Sequence, residues 1–171
     1  SAQQSTKTHF SDKLILQDIS KLSAGILVKF QNNPKAIAEA VVQAKALGLS
    51  LEQVDKVGDS LLDFESSIEN ELQAELITGQ QFNLERARSA ALMNDMTTVA
   101  KELSNQGINY NKYTHMNAIA QEKVADALGL STDELAEQLM KQDYMGKSKE
   151  EIVALGGEEV AKRIEALNAQ D

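Results

Sequence analysis

Residues 50–78, SLEQVDKVGDSLLDFESSIENELQAELIT, decide the fold class. Val54, Val57, Leu61, Phe64, Ile68, Leu72 and Leu76 recur three or four residues apart, the spacing that stacks side chains into one stripe along a helix. The spacing predicts one long amphipathic helix over about 50–78, ending at Gly79. Its other faces are acidic: Glu52, Asp55, Asp59, Asp63, Glu65, Glu69, Glu71 and Glu75 stand against Lys56 alone. Such a helix is either solvated on that side or met by basic residues from elsewhere. The apolar stripe is a candidate contact seam, and neither face is catalytic.

Beyond Gly79, QQF makes a short turn and Asn83 can cap a helix LERARSAAL that reaches about Met93. A connection this short folds 83–93 back on 50–78 as an antiparallel helical hairpin. Arg86 and Arg88 then fall near Glu69, Glu71 or Glu75, and they are read as structural ion pairs within the hairpin rather than as an Arg pair awaiting an acidic ligand.

Two matching corners flank this unit. AKALGLS at 44–50 returns as ADALGLS at 125–131, and in each a glycine, Gly48 or Gly129, supplies the left-handed residue that ends a helix. Ser50 and Ser131 then cap the next helix, with Gln53 and Glu134 three residues on to complete a capping box. Leu49 can staple to Val54, and Leu130 to Leu135. The pair suggests a duplicated helix pair; shared turn chemistry explains the likeness equally well.

Elsewhere the pattern is helical throughout. Ile15, Ile19, Leu22, Ile26 and Phe30 share one side of a helix over 11–30, spaced by Lys13, Lys21 and Lys29, which suits a core-facing helix or a membrane-surface one. Asn33 and Pro34 start an Ala-rich helix to Leu47, and Asn94 and Asp95 start one that stops at Gly107. INYNKYTH reads as a loop, 116–128 as a helix, and 131–142 as another, with DYMGK interrupting it. Ser148 and Glu151 form a third capping box, and Gly156 and Gly157 precede a terminal helix. No stretch alternates with period two for long enough to make a strand, so the expected fold is an all-α, multi-helix bundle without a sheet. Residues 1–10 are expected to be a flexible lead-in without signal-peptide organisation, 11–142 a helical domain and 143–171 a C-terminal helical extension.

Composition narrows the chemistry. The net charge is −9, and residues 48–79 carry eight acids against one Lys, whereas six Lys against three acids make residues 1–47 net +3. Nucleic-acid affinity needs Lys and Arg to displace counterions, and three Arg in an acidic chain without Trp do not provide it. The chain has no Cys, hence no disulfide or thiolate site, and no apolar run long enough to span a membrane. His9 and His115 lack an HExxH or Glu-x-x-His partner, and Glu65, Glu69 and Glu75 lack the histidines of a carboxylate-bridged di-iron bundle. No glycine-rich phosphate loop occurs, because two glutamates follow Gly156 and Gly157. The methionines suit core filling or adaptable contacts. A non-enzymatic protein without cofactor or metal is expected.

Ala125, Gly129 and Leu135, like Ala44, Gly48 and Val54, also fit the spacing of a helix-turn-helix. The second helix of such a turn would lead with Asp133, Glu134 and Glu137, which repel phosphate where base contacts are made. The turn is therefore expected to serve packing.

Residues 35–141 resemble a helical region of bacteriophage tail length tape measure proteins and related phage structural proteins. The segment FESSIENELQAELITGQQFNLERAR, 64–88, carries the resemblance most specifically through its acidic helix, Gly79 turn and Arg-bearing helix. The resemblance implies a virion protein packed inside a tail tube, in several copies, contacting itself or tail subunits. A tape measure acts by length, and a helix rises only about 1.5 Å per residue. With stops at Gly48, Gly79, Gly107, Gly129 and Gly156, this chain reads as a folded helical domain of such a protein. A helical adaptor in the cytoplasm and a DNA-binding protein are the readings from other classes.

Overall fold

The caps written into the sequence set most helix boundaries. The computed structural model describes residues 12–145 and isolated positions between 150 and 166. The described residues form α1 (Asp12–Ser20), α2 (Ala24–Lys29), α3 (Pro34–Ala46), α4 (Leu51–Leu62), α5 (Phe64–Thr78), α6 (Glu85–Leu92), α7 (Met96–Ser104), α8 (Tyr110–Thr114), α9 (Ala118–Ala127) and α10 (Thr132–Tyr144), with no strand among them. The fold is all-α. The expected lead-in, the Ser148 capping box and the break at Gly156 and Gly157 lie outside the described residues.

Both corners form as the sequence predicts. Ser50 and Ser131 each accept from the backbone N–H three residues on, and Gln53 and Glu134 each accept from the backbone N–H of their serine. Gly48 and Gly129 sit at φ 78° and 72°, the left-handed region where a Cβ is penalised. Asn33 likewise caps α3, with Pro34 in its first turn.

Three expected elements differ. The helix expected over 11–30 is, within its described residues, two helices, because Ser23 accepts from Ile26 N at 3.3 Å and restarts the chain as α2. INYNKYTH holds α8, started by Asn109, whose side chain accepts from Lys112 N at 2.8 Å. The largest correction falls on the long helix over 50–78. It is two helices, with Asp63 at φ −79°, ψ 78° serving as the end of α4 and the start of α5. Asp63 N still bonds Ser60 O, and Ser67 N bonds Asp63 O, so the chain turns there with little loss of backbone pairing.

The turn sends the two halves to different partners. α4 enters the centre and packs on α3, α6 and α7, while α5 runs out to lie on α9. Val54, Val57 and Leu61 of α4, with Leu84, Val99, Val124 and Leu135 from its surroundings, are the largest fully buried side chains. The expected hairpin holds at its turn only. Glu75 pairs with Phe82, Glu71 with Leu84 and Ser67 with Arg88, but α6 then lays its length on α4 and α7 rather than along α5.

The corners interlock. A Cβ on Gly48 would stand 2.8 Å from Gln138 O and 3.0 Å from Lys141 Cβ, and one on Gly129 would stand 3.1 Å from Ser60 Cβ and 3.4 Å from Val57 Cα. Gly129 follows Gly48 by 81 residues, and Gln138 and Lys141 follow Val57 and Ser60 by the same 81. Each corner therefore seats on the other's outgoing helix at equivalent positions, the reciprocity of a two-fold pair within one chain. Of the two readings of the repeated heptapeptide, duplication is the one this reciprocity favours.

Candidate protein-contact face on α5

Which face of α5 points inward is decided by small side chains. Ser67 and Ala74 are its buried residues, and α9, the helix on which α5 packs, buries Ala120, Val124, Ala125 and Ala127 in turn. Small residues on both sides let the two backbones approach closely. Phe64, Ile68, Leu72 and Leu76 are thereby turned to solvent.

The expected seam is thus divided at Asp63. Val54, Val57 and Leu61 are 0, 0 and 1 % exposed, whereas Phe64, Ile68, Leu72 and Leu76 are 44, 46, 54 and 85 % exposed. The four outward residues are spaced by four, one of the ridges that helices use to pack against one another. Ile77 adds a fifth apolar group on the same helix, at 47 %. Large apolar side chains contiguous on one surface mark contact sites, whereas single exposed ones carry no such meaning. Phe64, Ile68, Leu72 and Leu76 are contiguous.

The carboxylates of α5 split into two groups. Arg88, nearly buried, donates from Nη1 to Ser67 Oγ at 2.9 Å and from Nη2 to Glu71 Oε1 at 3.0 Å, and Glu71 Oε1 also accepts from Leu84 N at 2.9 Å. Glu75 Oε2 accepts from Phe82 N at 3.1 Å. These two acids therefore satisfy orphan donors around the start of α6. Arg86 is not their partner. It reaches Glu102 on α7 at 3.6 Å, because α6 has swung away from α5 onto α7. Glu65, Glu69 and Asp63 remain exposed beside the apolar ridge.

Residues that periodicity does not single out hold the turn. Gln106 mimics a paired backbone: its Oε1 accepts from Asn83 N at 2.8 Å and its Nε2 donates to Asn83 O at 2.9 Å, while Gln80 Nε2 donates to Gln106 O at 2.8 Å. Asn83, expected to cap α6, accepts from Glu85 N at 3.1 Å, and Leu84 is the residue that precedes the helix.

Charge is managed similarly at the corners. Lys29 donates to Asp55 and Asp59, at 3.1 Å for the second, so two acids of α4 meet a Lys from the basic N-terminal region. Burial pulls the Lys29 ammonium down, but the two carboxylates outweigh it and its pKa is raised. Lys56 Nζ donates to Glu134 Oε1 at 2.8 Å. With the Ser131 backbone N–H on the same oxygen, this holds the Glu134 carboxyl down at about 2.

Among the described residues no group of three or more His, Asp or Glu side chains is placed to hold a metal ion. A cavity of about 20 Å³ lies between the corners, lined by Leu47, Leu49, Leu128 and Leu130 among others, room for about one water. The leading turn of α10 is taken up by Glu134 bonding Lys56, and Leu135 and Leu139 are buried. No described helix is long and apolar enough to cross a membrane. Comparison with protein-family models, curated proteins and solved structures finds no match.

Proposed function

We propose that this chain is a non-enzymatic structural module that makes protein–protein contacts through the outward ridge of α5, as a folded helical domain of a phage tail tape-measure-like protein. The observation that carries the contact role is the inversion on α5: the helix buries Ser67 and Ala74 and leaves Phe64, Ile68, Leu72 and Leu76 in water. A helix stabilised only by its own domain would turn those four inward. The tail setting is carried by the resemblance over 64–88, the stretch that holds this ridge, the Gly79 turn and the Arg88 clamp. In that setting the chain resides in the virion, in the tail interior, and its partners are tail subunits or further copies of itself.

A photo-crosslinking residue at position 72, in cells producing the protein with its native partners, tests both levels. The expected result is protein adducts from position 72, absent from exposed Lys35 in the first turn of α3, with a virion subunit among them. Adducts to proteins that are no part of a virion would overturn the tail setting. No protein adduct at position 72 would overturn the contact role itself.

A further inference from the structure

We propose that the ridge Phe64–Ile68–Leu72–Leu76 is built for one class of occupant, a basic amphipathic helix of another protein. The inference rests on reading the ridge as a contact face and adds what must cover it. α5 contains Glu65, Glu69, Glu71 and Glu75 and no Lys or Arg. On a helix, residues one position on from an i, i+4 ridge form a parallel row beside it, which here is Glu65, Glu69, Gln73 and Ile77; the row on the other side is Asp63, Ser67, Glu71 and Glu75. Of these acids, Glu71 and Glu75 are already held by Arg88, Leu84 N and Phe82 N, leaving Asp63, Glu65 and Glu69 at the rim.

That rim excludes the other occupants an apolar helix face invites. A second copy docked ridge to ridge in parallel would set acidic rows against acidic rows, and docked antiparallel it would still bring no Lys or Arg from its own α5 to the three rim carboxylates. Membrane-surface helices flank their apolar face with Lys and Arg to meet anionic headgroups, the opposite of this pattern. Nucleic acid is repelled for the same reason. A helix with Lys or Arg beside its own apolar ridge satisfies both parts, burying the four side chains and meeting the three rim carboxylates.

The geometry sets the size of that helix. From 64 to 76 the ridge runs roughly 18 Å along α5 at 1.5 Å per residue, so about three turns of partner helix cover it. Two i, i+4 ridges interdigitate at a crossing angle near −50°.

The test titrates the full chain with two synthetic helical peptides that share Leu at four positions spaced by four, one carrying Lys and the other Glu at the flanking positions, at low and high salt. The Lys peptide is expected to bind at least tenfold tighter than the Glu peptide. Leu72→Gln with Leu76→Gln, two exposed positions where Gln keeps the helix and the net charge, is expected to weaken it at least tenfold. Glu65→Gln with Glu69→Gln is expected to flatten the salt dependence. Equal binding of the Glu peptide overturns the basic occupant while leaving the contact face standing, as does a dimer in light scattering that Leu72→Gln abolishes. Binding of the Lys peptide unchanged by Leu72→Gln with Leu76→Gln means attraction to the acidic chain at large, and overturns both.

Discussion

At the scale of single residues, the capping box at Ser131 does a second task. Glu134 closes the box on Ser131 N and reaches Lys56 on α4, so one oxygen ties the start of α10 to the centre of the fold. The equivalent residue in the first corner, Gln53, closes its box without a charge. This difference gives a pH dependence with a definite sign. The folded carboxyl titrates near 2, below its ordinary value of 4.5, so its stabilisation is present above about pH 4.5 and is lost as pH falls toward 2. Lys56→Met should lower stability at pH 6 by up to about 1 kcal/mol, the range of exposed ion pairs. The penalty should shrink as the pH approaches 2, as followed by urea unfolding across that window. A penalty that stayed constant down to low pH would remove Glu134 from the account. Residues of this kind are legible in sequence because a cap is local: Ser-x-x-Glu and Gly-x-Ser state their own geometry. What Lys56 reaches 78 positions away is not local, and periodicity has no means of stating it.

At the scale of elements, the stretch that reads most clearly is also the one that misleads. Residues 50–78 hold one phase of apolar spacing with neither Gly nor Pro at the break, so nothing local marks Asp63 as a turn. The break exists because α4 and α5 have different neighbours: α4 meets α3, α6 and α7, and α5 meets the small side chains of α9. Periodicity finds a stripe but assumes the stripe faces inward. Ser67, Ala74 and the Arg88 clamp show why it does not here. Arg88 ties α5 to α6 through Ser67 and Glu71, all three nearly shielded from water. Arg88→Ala leaves Glu71 without its cation and Ser67 Oγ without its donor, and truncating one partner of a pair this shielded costs about 3 kcal/mol. Adding Glu71→Gln should recover part of that loss, because a neutral amide can still accept from Leu84 N. Both effects are read by denaturant midpoint, and an Arg88→Ala cost below about 1 kcal/mol would mean that the clamp is not what holds α5 in place.

At the scale of the whole molecule, the repeated heptapeptide becomes an argument about how the core is assembled. Turn chemistry alone would reproduce AxALGLS anywhere, without placing the two copies against each other. Instead Gly48 seats on α10 at Gln138 and Lys141, and Gly129 seats on α4 at Ser60 and Val57, with the same 81-residue offset in every pair. The two seats differ in tightness, and this separates the effects of substitution. Alanine at either glycine bears the left-handed backbone penalty of roughly 1–2 kcal/mol. At Gly48 the new Cβ also meets a backbone carbonyl oxygen at 2.8 Å, which cannot yield without moving α10, whereas at Gly129 its nearest neighbours, Ser60 Cβ at 3.1 Å and Oγ at 3.2 Å, belong to a small side chain. Gly48→Ala should therefore cost about 3 kcal/mol, above what backbone strain alone accounts for, and Gly129→Ala about 2 kcal/mol, at the upper end of that strain. The test of the interlock is the double variant. If the corners form one reciprocal joint, separating it at one seat relieves the crowding at the other, and the double variant should be destabilised by at least about 0.5 kcal/mol less than the two single costs combined. Strict additivity in urea unfolding would mean that the corners are independent turns that share a sequence by chemistry alone, and the internal two-fold would lose its energetic content.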